Sequence, residues 1–461
     1  FFHRSPSSFF MIIRAKSFYR TFFGFFLILV FQNIIRFAVN LTDNVMLGSY
    51  SEAALAGATA VNHLQFVLQQ AVMGIGNGLV ILGTQYWGQN RPEPIRRLSS
   101  IAMWFGIAAG VILFLATCLF PRPLMQLFTY DETIIAEGMK YLETIRWSYL
   151  FFVISVILTE TLRAVEVVRI SLYVALVGLV ANFGINFVLI FGRFGFPELG
   201  IHGAGIGTLT ARILELLTVL FFLWKKGGIL KLNFLAYFHI DRVLLRDFVR
   251  VSMPLIIVSV LWGLSTAAQT MILGHLDSIA IAANSAASAL YLTLKVAMIG
   301  SCSAASIMIG KAIGQGRIDV VKDYAQTLQL IFIILGVICG AVLYTFRGPF
   351  LSLYNLSPET LRLSYDFLLI LSITGVGTSY QMPTNSGIIS GGGDTRYIMF
   401  LDIVSIWGIV LPVSALGAFV FGWSPFAVMI ALNSDQVFKC VPAFIKVRTN
   451  TWIKKLTRAD V

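Results

Sequence analysis

The chain has 461 residues, 57% of them hydrophobic and 12% charged, with a mean hydropathy of +0.82 and a formal charge of +12. Charged residues at about half the soluble norm of roughly 25% exclude an ordinary soluble domain. The basic excess lies between apolar runs rather than on one soluble face, which excludes nucleic acid as a partner and reads as a topology signal.

In chain order, residues 1–10, with Pro6 and three serines, read as disordered, and Met11 is a candidate start. Twelve apolar runs follow, each long enough to cross a hydrocarbon core of roughly 30 Å. They predict helices over 21–46, 55–83, 99–120, 143–163, 172–192, 203–224, 251–274, 280–310, 325–346, 363–388, 397–421 and 424–446. The runs are continuous rather than alternating, and a spanning backbone must satisfy its own hydrogen bonds, so helices are selected over strands. The first run is too long for a signal-peptide core and has no small-residue cleavage site, so it stays as a span. A cytoplasmic N-terminus puts Arg14, Lys16 and Arg20, then Arg91, Arg96 and Arg97, then Lys225, Lys226, Arg242, Arg246 and Arg250, and finally Lys454, Lys455 and Arg458 inside. The chain then divides into a tail 1–20, spans 1–6 over 21–224, a basic linker 225–250, spans 7–12 over 251–446 and a tail 447–461.

Few polar residues interrupt these runs. Span 1 carries Arg36, Asn40 and Asp43; a charged carboxylate in hydrocarbon costs a few kcal/mol, so Asp43 reads as a proton or cation site. Asn40 lies three residues before Asp43 on one helical face. Arg36 lies seven before it, about 10 Å along the axis. Two readings stand for Arg36: a pair with Asp43, or, favoured here, a cavity-facing guanidinium. Gln69 follows in span 2. Glu160 with Arg163, and Arg212 with Glu215, are three apart and predicted to pair. Asn182 and Asn186 share a face of span 5, and Thr208 opens span 6. Gly203-Ala204-Gly205-Ile206-Gly207 follows no strand, so it reads as close helix packing rather than a nucleotide loop.

In the second half Gln269 stands where an acid matching Asp43 would fall. Lys295 lies deep in span 8, with Asp402 of span 11 as its candidate counter-ion; a latch, a substrate contact and plain neutralisation are all open roles for that pair. Tyr291, Tyr380 and Met382 are candidate cavity-lining side chains able to hold flat cationic compounds. Asp394 and Arg396 sit in a glycine-rich inner turn, read as orienting span 11. The four cysteines show no metal or disulfide spacing, the histidines no ligand spacing, and no Walker motif appears, so metal, cofactor and nucleotide are not expected. Asn40-Leu41-Thr42 matches a glycosylation sequon but lies inside a span.

The chain also repeats itself. Gly48 and Gly274 are 226 apart (274 − 48), as are the pairs Gly88-Gln89 and Gly314-Gln315 (314 − 88), and Gln69 and Lys295 (295 − 69). Leu47 matches Leu273, and Ala54, Ala56 and Ala60 match Ala280, Ala282 and Ala286. Two six-helix halves that both begin inside are parallel repeats.

These residues carry a resemblance. Val39-Asn40-Leu41-Thr42-Asp43-Asn44-Val45-Met46-Leu47-Gly48, Gly192-Arg193-Phe194-Gly195-Phe196-Pro197-Glu198-Leu199-Gly200, Val251-Ser252-Met253-Pro254, Gly391-Gly392-Gly393-Asp394-Thr395-Arg396, and Asp402 with Trp407 and Pro412 resemble the MATE family of multidrug and toxic compound extrusion transporters, over nearly the whole length after Met11. The resemblance implies an all-α polytopic protein of twelve transmembrane helices, in two pseudo-symmetric six-helix lobes around a central cavity. It also implies export of organic, mostly cationic, compounds in exchange for protons or sodium. In that family the residues corresponding to Asp43, Asn182 and Thr208 form an N-lobe cluster that binds the coupling ion. Asn186 stands where relatives often carry an Asp, which weakens a sodium site more than a proton site and tilts the reading to protons. Where NorM-type relatives carry acids in the second lobe, Ser259 and Ser379 stand here. The expected setting is a bacterial-type cytoplasmic membrane with both termini inside, the protein a monomer among lipid. The alternative is a lipid-linked oligosaccharide flippase of the same superfamily, kept open by Arg36 and Lys295.

Overall fold

A computed structural model describes residues 13–225, 241–276, 278–354 and 356–458. Among them the chain is helical throughout: α1 (Lys16–Tyr50), α2 (Glu52–Gly88), α3 (Pro92–Leu119), α4 (Pro121–Gln126), α5 (Glu132–Ile145), α6 (Ser148–Ala164), α7 (Arg169–Phe191), α8 (Gly200–Lys225), α9 (Arg242–Leu276), α10 (Ser278–Gly314), α11 (Ile318–Leu351), α12 (Pro358–Met382), α13 (Thr395–Asp402), α14 (Leu411–Phe419), α15 (Pro425–Leu432), α16 (Asp435–Phe438) and α17 (Cys440–Thr449). π-helical stretches Pro383–Ile389 and Ile403–Val410 continue α12 and link α13 to α14. Eleven helical spans are long and apolar enough to cross a membrane, and a twelfth is made if α5 and α6, bent by 53° at their junction, count as one.

Helix starts follow local chemistry. Ser51, Ser357 and Ser424 accept backbone N–H bonds at the starts of α2, α12 and α15, and Asp131 does so for α5. Gly192 closes α7 in the left-handed region at φ 61, where a Cβ would also press on the Glu198 backbone.

The 226-residue repeat reappears in the helix boundaries. Adding 226 to the bounds of α1 gives 242 and 276, those of α9; adding it to the end of α2 gives 314, the end of α10, and to the start of α3 gives 318, the start of α11. The two halves therefore share one secondary-structure register.

Packing divides the chain into two compact units, one of residues 1–30 and 261–457, the other of 31–260 and 458–461. The boundary falls inside α1 and inside α9, so each of these long helices begins in one unit and ends in the other. In the first unit Phe18, Phe22, Phe26 and Leu29 of α1 pack with Ala305, Ile309, Leu328, Phe332, Ile388 and Trp452. In the second, Met46 and Leu47 pack with Ala58, Val61, Tyr141, Leu142, Ile190 and Ala204. Residues 226–240 of the predicted basic linker and residues 1–12 of the predicted N-terminal tail lie outside the described residues.

Candidate functional site

Asp43 lies near the end of α1, half-buried. The Asn186 amide donates to its Oδ1 at 2.6 Å and to Asn182 Oδ1 at 3.3 Å, while Asn182 Nδ2 donates to Thr208 Oγ1 at 3.3 Å. Asn182 and Asn186 are 1% and 0% exposed, so these amides are fixed by protein and not by solvent. The α7–α8 contact that builds the cluster depends on small residues: a Cβ on Gly207 would strike the Asn186 side-chain oxygen, and one on Gly203 would press on the Leu189 backbone at 2.8 Å. The buried Tyr141 ring of α5 brings its hydroxyl beside Thr208. Asn186 Oδ1 has no hydrogen-bond donor, and Asp43 has no ion-pair partner among the described residues.

Asp43 is thus gripped by an amide, a group with both a donor and an acceptor end. An ionised carboxylate takes the amide N–H. A protonated one can give its O–H to the amide oxygen once the amide turns over, and the unpartnered Oδ1 of Asn186 is available for that. The site can satisfy Asp43 in either protonation state.

Asn40 and Arg36 occupy exposed positions on α1. Arg36 makes no ion pair with Asp43. The predicted pairs do form: Arg163 Nη1 to Glu160 at 2.8 Å and Arg212 Nη1 to Glu215 at 2.9 Å. Arg163 also donates to Gln32 of α1 at 3.3 Å, and Arg212 lies 5.0 Å over the Phe152 ring. Gln69 is half-buried, and its neighbour Gln70 donates to the Ser259 carbonyl at 3.4 Å.

The charge pair predicted in the second sequence repeat does not form. Asp402 does not meet Lys295. Its Oδ1 accepts from Lys439 Nζ at 2.7 Å, and the same ammonium reaches Asp435 at 3.1 Å. Lys295 instead lies 5.3 Å from the Trp262 ring centre. The physical reason is reach within one buried layer: Asp435 and Lys439, four apart at the break between α15 and α17, place the ammonium between two carboxylates. Asp435, 3% exposed, is a further buried carboxylate of these helices.

From this triad a polar chain runs inward. Gln436 Nε2 donates to Asp435 at 2.9 Å, and its Oε1 accepts from Gln381 at 2.9 Å and Thr378 at 3.0 Å; Tyr291 donates to Thr378 at 2.9 Å. Asn385 donates to Gln381 at 3.1 Å. Tyr291 is therefore tied into a network, Tyr380 is 8% exposed with a buried unpartnered hydroxyl, and Met382 and Gln269 are half-buried. No group of three metal-ligating side chains occurs among the described residues.

The family model MatE matches residues 29–188 and 254–416, the two repeats in turn. The chain belongs to the MatE family. Among curated MatE-like relatives, the probable multidrug resistance protein NorM of Xylella fastidiosa is 25% identical over 390 residues, covering 84% of this chain and 83% of its own. The probable multidrug resistance protein YoeA of Bacillus subtilis is 26% identical over 393 residues, 84% of each chain. The crystal structure of the Vibrio cholerae MATE transporter VcmN in its bent form superposes with a TM-score of 0.82 at 18% identity, over 95% of this chain and 99% of that one. That likeness fixes the MatE fold and leaves the chemistry to this chain's own residues.

Sequence reasoning found Asp43, Asn182, Asn186 and Thr208, which the fold brings together, and Asn40, which stays outside the hydrogen-bonded cluster. It missed Tyr141, Gln32, Asp435, Gln436 and Lys439. The run Asn433-Ser434-Asp435-Gln436, a polar break in the last apolar stretch with a Lys four residues after the acid, was the available signal.

Proposed function

We propose that the protein is a secondary active antiporter that exports organic compounds, mostly cationic, by alternating access in exchange for protons taken up at Asp43. The observation that carries this is the 2.6 Å bond from the Asn186 amide to Asp43, a carboxylate that no Lys or Arg among the described residues pairs with. A cationic substrate and a proton then compete for one negative charge, which is the minimum requirement for exchange. Sodium fits less well: besides Asp43, the cluster offers only amide and hydroxyl oxygens, and a sodium site gains from further negative charge. Glu160 and Glu215 are already paired with arginines and do not compete for the role.

The protein would work as a monomer in a bacterial-type cytoplasmic membrane with both termini inside, needing no cofactor beyond the coupling ion. A second reading, a flippase for lipid-linked oligosaccharide, draws on Arg36 and Lys295, neither of which is paired with an acid among the described residues. Proteoliposomes with separately imposed pH and sodium gradients test the proposal. Drug-evoked proton flux should be present in the wild type and absent from a folded Asp43→Asn variant, because an amide keeps the shape but cannot take up a proton. Undiminished flux in that variant removes Asp43 from the mechanism.

A further inference from the structure

In the unit that holds Asp43 the charges do not all find partners. Glu160 is matched by Arg163 and Glu215 by Arg212. Asp43 is held by an amide, and Arg36 has no hydrogen-bond or ion-pair partner among the described residues. Arg36 lies 20 residues from the start of α1 and 14 from its end, so it sits near mid-span. Arg36 shares one face of α1 with Gln32, which accepts from Arg163 of α6, and with Asp43, which accepts from Asn186 of α7, so it lies on the protein side of α1 rather than toward lipid. An exposed guanidinium at that depth calls for an acidic partner, and the neighbouring acids are taken.

Gln32, Arg36, Asn40 and Asp43, spaced four, four and three residues apart, form one polar stripe along α1. Its two charged members, Arg36 and Asp43, are a cation and a carboxylate about 10 Å apart along the axis at 1.5 Å per residue. The exposed Asn40 amide, able to donate and accept, lies between them.

We propose that this stripe takes a zwitterionic organic compound, its carboxylate, sulfonate or phosphonate on Arg36 and its ammonium or iminium against Asp43. The inference rests on the coupling role given to Asp43 and adds the charge pattern of the substrate. The planar guanidinium fork suits a bidentate acidic group. With both ends matched, the loaded stripe carries no net charge, whereas a plain monocation leaves Arg36 uncompensated in a low-dielectric setting. Exchange is preserved, because a proton on Asp43 still removes the partner of the cationic end. A plain anion behaves oppositely: protonating Asp43 would favour its binding, the sign of cotransport.

The test uses a matched dye pair, rhodamine B, which carries a free carboxylate beside its cationic ring system, and its ethyl ester, which is cationic only. Binding of each to the full-length protein in lipid nanodiscs at pH 8 is followed by fluorescence anisotropy. The acid-over-ester preference should be roughly ten- to hundredfold greater in the wild type than in Arg36→Gln, the range of one charge-assisted hydrogen bond. Partition of either dye into lipid cancels in that comparison. Arg36→Lys, which keeps the charge but loses the fork, should fall between the two. Equal preference in all three proteins overturns the proposal, as does a wild type that binds only the ester. The coupling reading fails on a different measurement, the proton flux of Asp43→Asn, so the two failures are separable.

Discussion

Lys439 Nζ lies 2.7 Å from Asp402 and 3.1 Å from Asp435, one ammonium shared by two carboxylates. Lys439 is 2% exposed, and the Asp402 and Asp435 side chains are 25% and 4% exposed. The arrangement makes the three residues unequal. Removing the ammonium strands two carboxylates, while removing Asp402 leaves Lys439 its other partner.

Lys439→Met should therefore destabilise the protein by about 3–5 kcal/mol, and Asp402→Asn by no more than about 1–2 kcal/mol. Thermal unfolding in detergent, read by tryptophan fluorescence, measures both. A Lys439→Met protein as stable as the wild type would show that the triad is not holding these helices. Transport in Asp402→Asn should follow stability. A stable Asp402→Asn that still binds drug but moves no proton would relocate coupling to the second lobe.

Gly207→Ala tests how the coupling cluster is built. The added methyl meets the Asn186 side-chain oxygen, so the amide must turn or α7 and α8 must part. Overpacking of this kind costs about 1–3 kcal/mol. Drug-evoked proton flux should drop with it, and Asn186→Gly in the same chain should restore stability without restoring flux. Full flux in Gly207→Ala would mean that the Asn186 contact to Asp43 is dispensable.

Asp394 sets a pH limit on the C-terminal segment. Burial pushes its carboxyl up, but hydrogen bonds and charge from Lys446, at 2.8 Å, and Lys454, at 2.7 Å, outweigh burial and hold it below its ordinary value of 3.8. A carboxylate depressed in the folded state adds stability above its unfolded value, and that stability is lost as pH falls through the lower folded value. Docking of residues 452–454, where Trp452 is fully buried and the Lys454 N–H donates to the Gly392 carbonyl at 2.8 Å, should thus persist down to about pH 4 and weaken below it. In Asp394→Asn that acid-dependent step should vanish. Limited proteolysis at Lys454, after brief acid exposure, reads the difference, and an unchanged acid profile in the variant would assign the docking to Trp452 alone.

Topology is tested by single cysteines. Pro197→Cys, after α7, should react with an impermeant thiol reagent from outside in intact cells, and Glu93→Cys, at the start of α3, should not. The reverse pattern would invert the assignment made from the Lys and Arg distribution.

By itself the sequence determined the quantities that depend on spacing along one helix. The apolar runs set the spans, because hydrocarbon thickness fixes their length. The 226-residue offset set two repeats in a common register, later matched boundary for boundary by α1 and α9. The i, i+3 pairs Glu160–Arg163 and Arg212–Glu215 were legible because neighbours on one helix face have little choice of partner. Partners on different helices were another matter. Asp402 could be assigned to Lys295 or to Lys439 with equal right from sequence. Only the packing of the π-helical stretch Ile403–Val410, which directly follows Asp402, against α16 put Lys439 between two acids and left Lys295 beside Trp262. In the same way, Asn186 was visible as a polar residue in span 5, but its grip on Asp43 exists because glycines let α7 and α8 approach closely. Periodicity fixes which face a residue is on. What that face meets is decided by helix approach, and helix approach depends on small residues whose partners lie far away in the chain.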